Sequence, residues 1–94
     1  MMSEISRTGS PTSHGKSDKG FTWTVSLSAP PQLGWKAAFQ DPQDWSLVFH
    51  PRLVRFFGGT MIFESDEQNI PTWMQYIDKW INSANETLSL HQVV

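Results

Sequence analysis

The chain has 94 residues, 38% of them hydrophobic and 17% charged, a length that fits one domain and leaves no room for two. It has no cysteine, which excludes a disulfide framework and a thiolate zinc site and suits a reducing, cytoplasmic compartment. Formal net charge is −2, and the longest apolar runs of three or four residues fall far short of the roughly 20 that a membrane helix needs, so no membrane partner is expected.

The first residues lack the charged-then-apolar pattern of a secretory signal. Residues 1–20 are mostly Ser, Thr, Gly, Pro, Lys and His, with Glu4, Arg7 and Asp18 among them and Ile5 the one sizeable aliphatic besides the methionines. Such a segment buries too little apolar surface to offset about 1–2 kcal/mol per residue of backbone entropy, which predicts a disordered polar tail. Beyond it, Lys36, Arg52, Arg55 and Lys79 face seven carboxylates, an acidic excess of three with no basic stripe. That sign repels phosphate backbones, so nucleic acid is not an expected partner.

The folded domain is predicted to span residues 21–88. Phe21, Trp23, Val25 and Leu27 alternate with Thr22, Thr24, Ser26 and Ser28, the period-two pattern of a strand with one apolar and one hydroxylated face. Ala29-Pro30-Pro31 stops it, because proline has no amide hydrogen for a ladder. Leu33, Trp35, Ala38 and Phe39 then share one helical face, predicting a short helix over 31–40 that Asp41-Pro42 ends. Trp45, Leu47 and Phe49 alternate, but the stretch between Pro42 and Pro51 reads better as a loop pinned by its aromatics.

Arg52–Phe57 and Thr60–Ser65 flank Gly58-Gly59, the pattern of a hairpin closed by a primed turn. A two-residue loop fixes the register: Phe57 opposite Thr60, Phe56 opposite Met61, Arg55 opposite Ile62, Val54 opposite Phe63. Val54, Phe56, Met61 and Phe63 then form the core face, while Leu53, Arg55, Phe57, Thr60, Ile62 and Glu64 face the other way. Ser65 or Asp66, or alternatively Asn69, is placed to cap a last helix, with Gln68 as a box partner of Ser65. Along that helix Ile70, Trp73, Met74, Ile77, Trp80, Ile81, Ala84 and Leu88 recur at three- and four-residue steps, an apolar stripe that needs a sheet to cover it. Asn85 is a candidate helix stop, and residues 89–94 are either a last strand or a frayed extension.

The order βαββα predicts an α+β two-layer sandwich with both helices on one sheet face. The crossover rule places the first strand beside the hairpin's second strand and leaves the hairpin's first strand outermost. Pairing of the C-terminal segment with the first strand would complete a ferredoxin-like βαββαβ sheet. A domain of roughly 70 residues is marginal on its own core, and five tryptophans and six phenylalanines compensate with large buried rings.

Few residues carry chemistry. Of the three histidines, His14 lies in the tail and His91 in the C-terminal segment; only His50, in Phe49-His50-Pro51, belongs to the body. A His-Pro step ahead of a strand sets the geometry of the approaching chain more often than it transfers protons. No second histidine or cysteine stands near it in sequence, so no metal or cofactor is expected. The helix–strand layout over 21–85 with His50-Pro51 resembles that of the pterin-4a-carbinolamine dehydratases. That family sets two adjacent histidines before the proline and a further one after a following strand. Here those positions read Phe49 and Glu64-Ser65-Asp66, so the resemblance reaches the layout and not the catalytic set. Glu64, Asp66 and Glu67 have a structural account as first-turn acids at a helix dipole. Trp23, Trp35, Trp73 and Trp80 read as core, and Trp45 as a plug at the end of the core, with a role over a ligand as its alternative.

What remains is the second sheet face. Leu53, Phe57 and Ile62 gather there beside the Thr22, Thr24, Ser26 row, on the side the helices leave open. Clustered apolars on an open face mark partner contacts. The expected function is a non-catalytic interaction module that self-associates, or docks a protein partner, through this face or edge. The alternative is a small enzyme or ligand binder with a pocket near His50 and Trp45.

Overall fold

A computed structural model describes residues 4–18, 20–42 and 45–92, with side chains described as far as Leu88. The elements run β1 (Arg7–Ser17), β2 (Gly20–Leu27), α1 (Leu33–Phe39), β3 (Arg55–Phe57), β4 (Thr60–Ser65) and α2 (Ile70–Gln92), with short 3-10 turns at Pro51–Leu53 and Glu67–Asn69. The four strands form one antiparallel sheet in the order β1-β2-β4-β3. With two helices on one face this is the small α+β sandwich that the periodicity predicts. No helix among the described residues is long and apolar enough to cross a membrane.

The hairpin register is the predicted one. Arg55, Phe56 and Phe57 lie opposite Ile62, Met61 and Thr60. Gly58 takes φ +59 while Gly59 stays out of the left-handed region, which is the II′ form of a primed turn. The Gly59 carbonyl then accepts a 2.8 Å bond from Leu27 N–H, tying the turn to β2. β2 and β4 pair from Phe21–Ser65 to Ser26–Thr60, so that β2 sits beside β4 and β3 is outermost, as the crossover argument requires.

The strand before the diglycine is shorter than its β-favouring residues suggest. Pro51 opens a 3-10 turn over Pro51–Leu53, and His50 caps it by accepting the Arg52 N–H at Nδ1 over 3.1 Å. Val54 is therefore buried core without being part of the ladder, and Leu53 leaves the strand. The helix predicted over 31–40 is Leu33–Phe39, with no side-chain cap at Gln32.

Four expectations are overturned. The tail read as disordered supplies β1, which pairs with β2 from Arg7–Leu27 to Ser17–Gly20. An existing strand edge offers backbone hydrogen bonds that composition does not record, so a polar segment gains order without a core of its own. Residues 89–92 continue α2, while 93 and 94 lie outside the described residues, so no last strand among the described residues completes a ferredoxin-like sheet; the edge that strand would have covered is taken by β1. Asn85 is not a helix stop but lies inside α2. The capping box also fails: Ser65 is buried and its hydroxyl donates to the Asp66 carbonyl, while Asp66 precedes the 3-10 turn without a side-chain cap bond.

The core is aromatic. Trp35 stacks on Phe39 at 5.5 Å, and Phe56 meets both edge-on from β3. Phe39 meets Trp80, which meets Trp73, which lies 4.8 Å from Phe63 on β4. This chain of rings fastens α1 and α2 to each other and to the sheet. Trp35, Phe39, Met61, Phe63, Ile77 and Trp80 are all at most 1% exposed. Trp23 adds a polar tie, its indole N–H donating to the Ser65 carbonyl at 2.9 Å.

At the β1–β2 turn the backbone admits only glycine. Gly20 has φ +117, and a Cβ there would lie 2.7 Å from Asp66 Oδ1, 2.8 Å from the Ser65 carbonyl oxygen and 2.9 Å from Asp66 N. Gly15 has a similar φ of +121 with nothing within 4 Å of its Cβ position. Gly20→Ala is expected to cost about 3 kcal/mol, against about 1 kcal/mol for Gly15→Ala, where backbone strain acts alone. Urea denaturation of both variants measures the difference, and equal losses would remove the claim that the β1–β2 turn is pressed against the end of β4 at Ser65 and Asp66.

Candidate interaction surface

Helices cover the face of Val25, Leu27, Met61 and Phe63, so the opposite face is the one open to a partner. Phe57 stands on it 78% exposed. Ile62 is half-buried, because it lies in the middle of the sheet with Arg55 opposite on one side and Thr24 on the other. Phe57 and Ile62 are diagonal neighbours across the β3–β4 ladder, within reach of an aromatic ring. Leu53 is 45% exposed but sits in the 3-10 turn, so strand alternation no longer places it on the open face. The predicted trio is thus a Phe57–Ile62 pair on the sheet with Leu53 where the chain runs into β3.

Trp45 does not plug the core. It is 48% exposed, with its ring 4.6 Å from the His50 ring. His50 is half-buried, and its Nδ1 is occupied by the Arg52 amide, the positioning role that a His-Pro step predicts. Sequence reasoning missed the two residues beyond Trp45. Ser46 N–H donates to the Phe49 carbonyl and Phe49 N–H to Ser46 Oγ, both at 3.0 Å, closing a tight turn that puts Leu47 and Val48 at its tip. Phe49 anchors this turn by stacking on Tyr76 and meeting Trp73 edge-on. A serine three residues before the anchoring Phe49 is the local signal that separates this turn from a strand.

The N-terminal strand is held by side chains of α2. Asn85 Oδ1 accepts from Ile5 N–H at 3.1 Å and from the Trp35 indole at 2.9 Å, and its Nδ2 donates to the Ile5 carbonyl at 2.8 Å. Arg7 makes a two-pronged pair with Asp78, Nε to Oδ1 at 2.9 Å and Nη2 to Oδ2 at 3.0 Å. The Asp78 bond raises the guanidinium above its already high ordinary pKa, against the opposing effect of desolvation. A raised cation contributes below its unfolded pKa and loses that contribution only as pH rises through the folded value, so the Arg7 charge holds throughout the neutral range. Between this strand and α2 runs a shallow groove of about 370 Å³, its floor made by Ile5, Ile81, Asn82 and Asn85.

Among the described residues no group of three or more His, Asp or Glu is placed to hold a metal ion, and no buried side-chain nitrogen or oxygen lacks a hydrogen-bond partner. Comparison with protein-family models, with curated proteins and with solved structures finds no match to this chain.

Asn85→Ala would leave Ile5 N–H, Ile5 C=O and the Trp35 indole without their protein partner. The expected loss is about 2–3 kcal/mol, with faster amide exchange along β1 than along β4. Asp78→Ala, which breaks a half-exposed ion pair, is expected to cost less than about 1 kcal/mol. Exchange rates for β1 unchanged by Asn85→Ala would show that the backbone ladder alone holds the strand.

Proposed function

We propose that this domain is a protein-interaction module that self-associates through the open side of its sheet. The observation that carries the reading is Phe57, 78% exposed on a strand whose neighbours fix its direction away from the core. Burying a phenylalanine contributes about 1.5–3 kcal/mol, and a two-fold axis counts it twice. Ile62, its diagonal neighbour across the ladder, extends the apolar surface. The absence of cysteine suits work in a reducing, cytoplasmic setting.

A ligand or substrate site beside Trp45 and His50 is the weaker reading. Its support is the 4.6 Å ring contact, and His50 already commits Nδ1 to the backbone.

Phe57→Glu combined with Ile62→Lys is expected to leave far-UV circular dichroism unchanged and to lower the weight-average mass in sedimentation equilibrium. A folded monomer both before and after substitution rules self-association out.

A further inference from the structure

The sheet has two edges, and they are built differently. β1 is an edge that resists pairing. Gly9, Ser10 and Pro11 span the length of Val25 alone, and His14 and Gly15 the length of Thr22, so two irregularities break the line of the strand. Proline, bulges and a lysine such as Lys16 are the devices by which edge strands avoid one another. β3 carries none of them. Its three residues, Arg55-Phe56-Phe57, form an uninterrupted edge, and no other strand among the described residues pairs with its outer side.

The hydrogen-bond pattern shows which backbone groups face outward. Leu27 N–H bonds to the Gly59 carbonyl, so odd-numbered residues here turn toward β2. Thr60 and Ile62 then turn toward β3, where they meet Phe57 and Arg55. Alternation leaves Val54, Phe56 and Gly58 directed outward. Val54 N–H is taken by the Pro51 carbonyl at 3.1 Å, and Gly58 has left the strand at φ +59. Phe56 N–H and C=O are the pair left to bind.

We infer that β3 pairs antiparallel with β3 of a second copy of this chain, across a two-fold axis at Phe56. This deepens the self-association reading, on which it rests, by naming the occupant and the register. Phe56 opposite Phe56 satisfies both outward groups of each copy with two N–H···O=C bonds. Shifting by two residues one way sets the occupied amide of Val54 opposite Phe56, and the other way sets the turn residue Gly58 there.

The same register makes the side chains complementary. Arg55 faces Phe57 of the second copy, in the closer, non-hydrogen-bonded pair position on the open face. Each guanidinium lies against an exposed ring, and no like charges are opposed. The two-fold produces that cation–π pair twice. On the helix face the two half-buried Phe56 rings become neighbours, each already roofed by Trp35 and Phe39 with Lys36 over it. A three-residue edge lies below the size of a standard interface, so the dimer is a weak one, with a dissociation constant on the order of 10–100 µM.

Because the chain has no cysteine, engineered thiols report the register directly. Arg55→Cys and Phe57→Cys chains, distinguishable by mass, are mixed and mildly oxidised. In the inferred register Cα atoms 55 and 57 of opposite copies lie about 4.5 Å apart, within disulfide reach, whereas 55–55 and 57–57 lie beyond about 7 Å. The mixed disulfide is expected at least fivefold over either homodimer. In sedimentation, Arg55→Glu is expected to weaken association about tenfold, with Arg55→Lys retaining most of it. Statistical cross-linking, or a wild-type dimer without the mixed disulfide, overturns the register while the self-association reading stands. Wild type that remains monomeric at millimolar concentration overturns both.

Discussion

One carboxamide joins three parts of this fold. The Asn85 side chain occupies the place that a strand's backbone would take opposite Ile5, accepting from its N–H and donating to its carbonyl. The same oxygen accepts the indole hydrogen of Trp35. The N-terminal strand, the first helix and the last helix therefore meet at a single carboxamide beside a core of aromatic and aliphatic side chains. Asparagine is a poor helix former, and its place in the middle of α2 carries a propensity cost of some tenths of a kcal/mol relative to alanine. Three hydrogen bonds from a half-buried amide outweigh that cost. Without them Trp35, at 1% exposure, would bury an unpaired donor.

The arrangement explains why some parts of the fold were legible in the sequence and others were not. Local rules sufficed wherever a residue's partner lay close along the chain. Gly58-Gly59 set the hairpin register, and the Phe21–Leu27 alternation marked a strand because one face had to be apolar. β1 failed that test for a physical reason. Both its faces are largely exposed, so nothing obliges its side chains to alternate in polarity. Its order comes from the adjacent β2 edge, which composition does not signal, and from Asn85 and Asp78, which are distant in sequence. Asn85 misled in the same way, since propensity reads it as a helix end and only the Ile5 backbone explains it.

The candidate surface was partly legible. The hairpin register alone sends Phe57 outward, and the structure agrees. Leu53 was misplaced because Pro51 and the His50 cap convert the start of the predicted strand into a 3-10 turn. Trp45 reads in the sequence as a plug at the end of the core, yet it is 48% exposed. Its exposure follows from the Ser46–Phe49 turn, whose deciding hydrogen bond is a serine hydroxyl rather than an apolar contact.

The separation of Ile5 from Asn85, 80 positions along the chain, also bears on how the molecule is made. Synthesis runs from the amino end, so the strand that shields the β2 edge leaves the ribosome before its anchors on α2. Until α2 is made, Arg7 and Ile5 have no Asp78 or Asn85 to bind, and β1 is held to the flank of β2 by the hairpin ladder alone. The side-chain locks that fix the sheet at that side form only once α2 has been released and laid across the core.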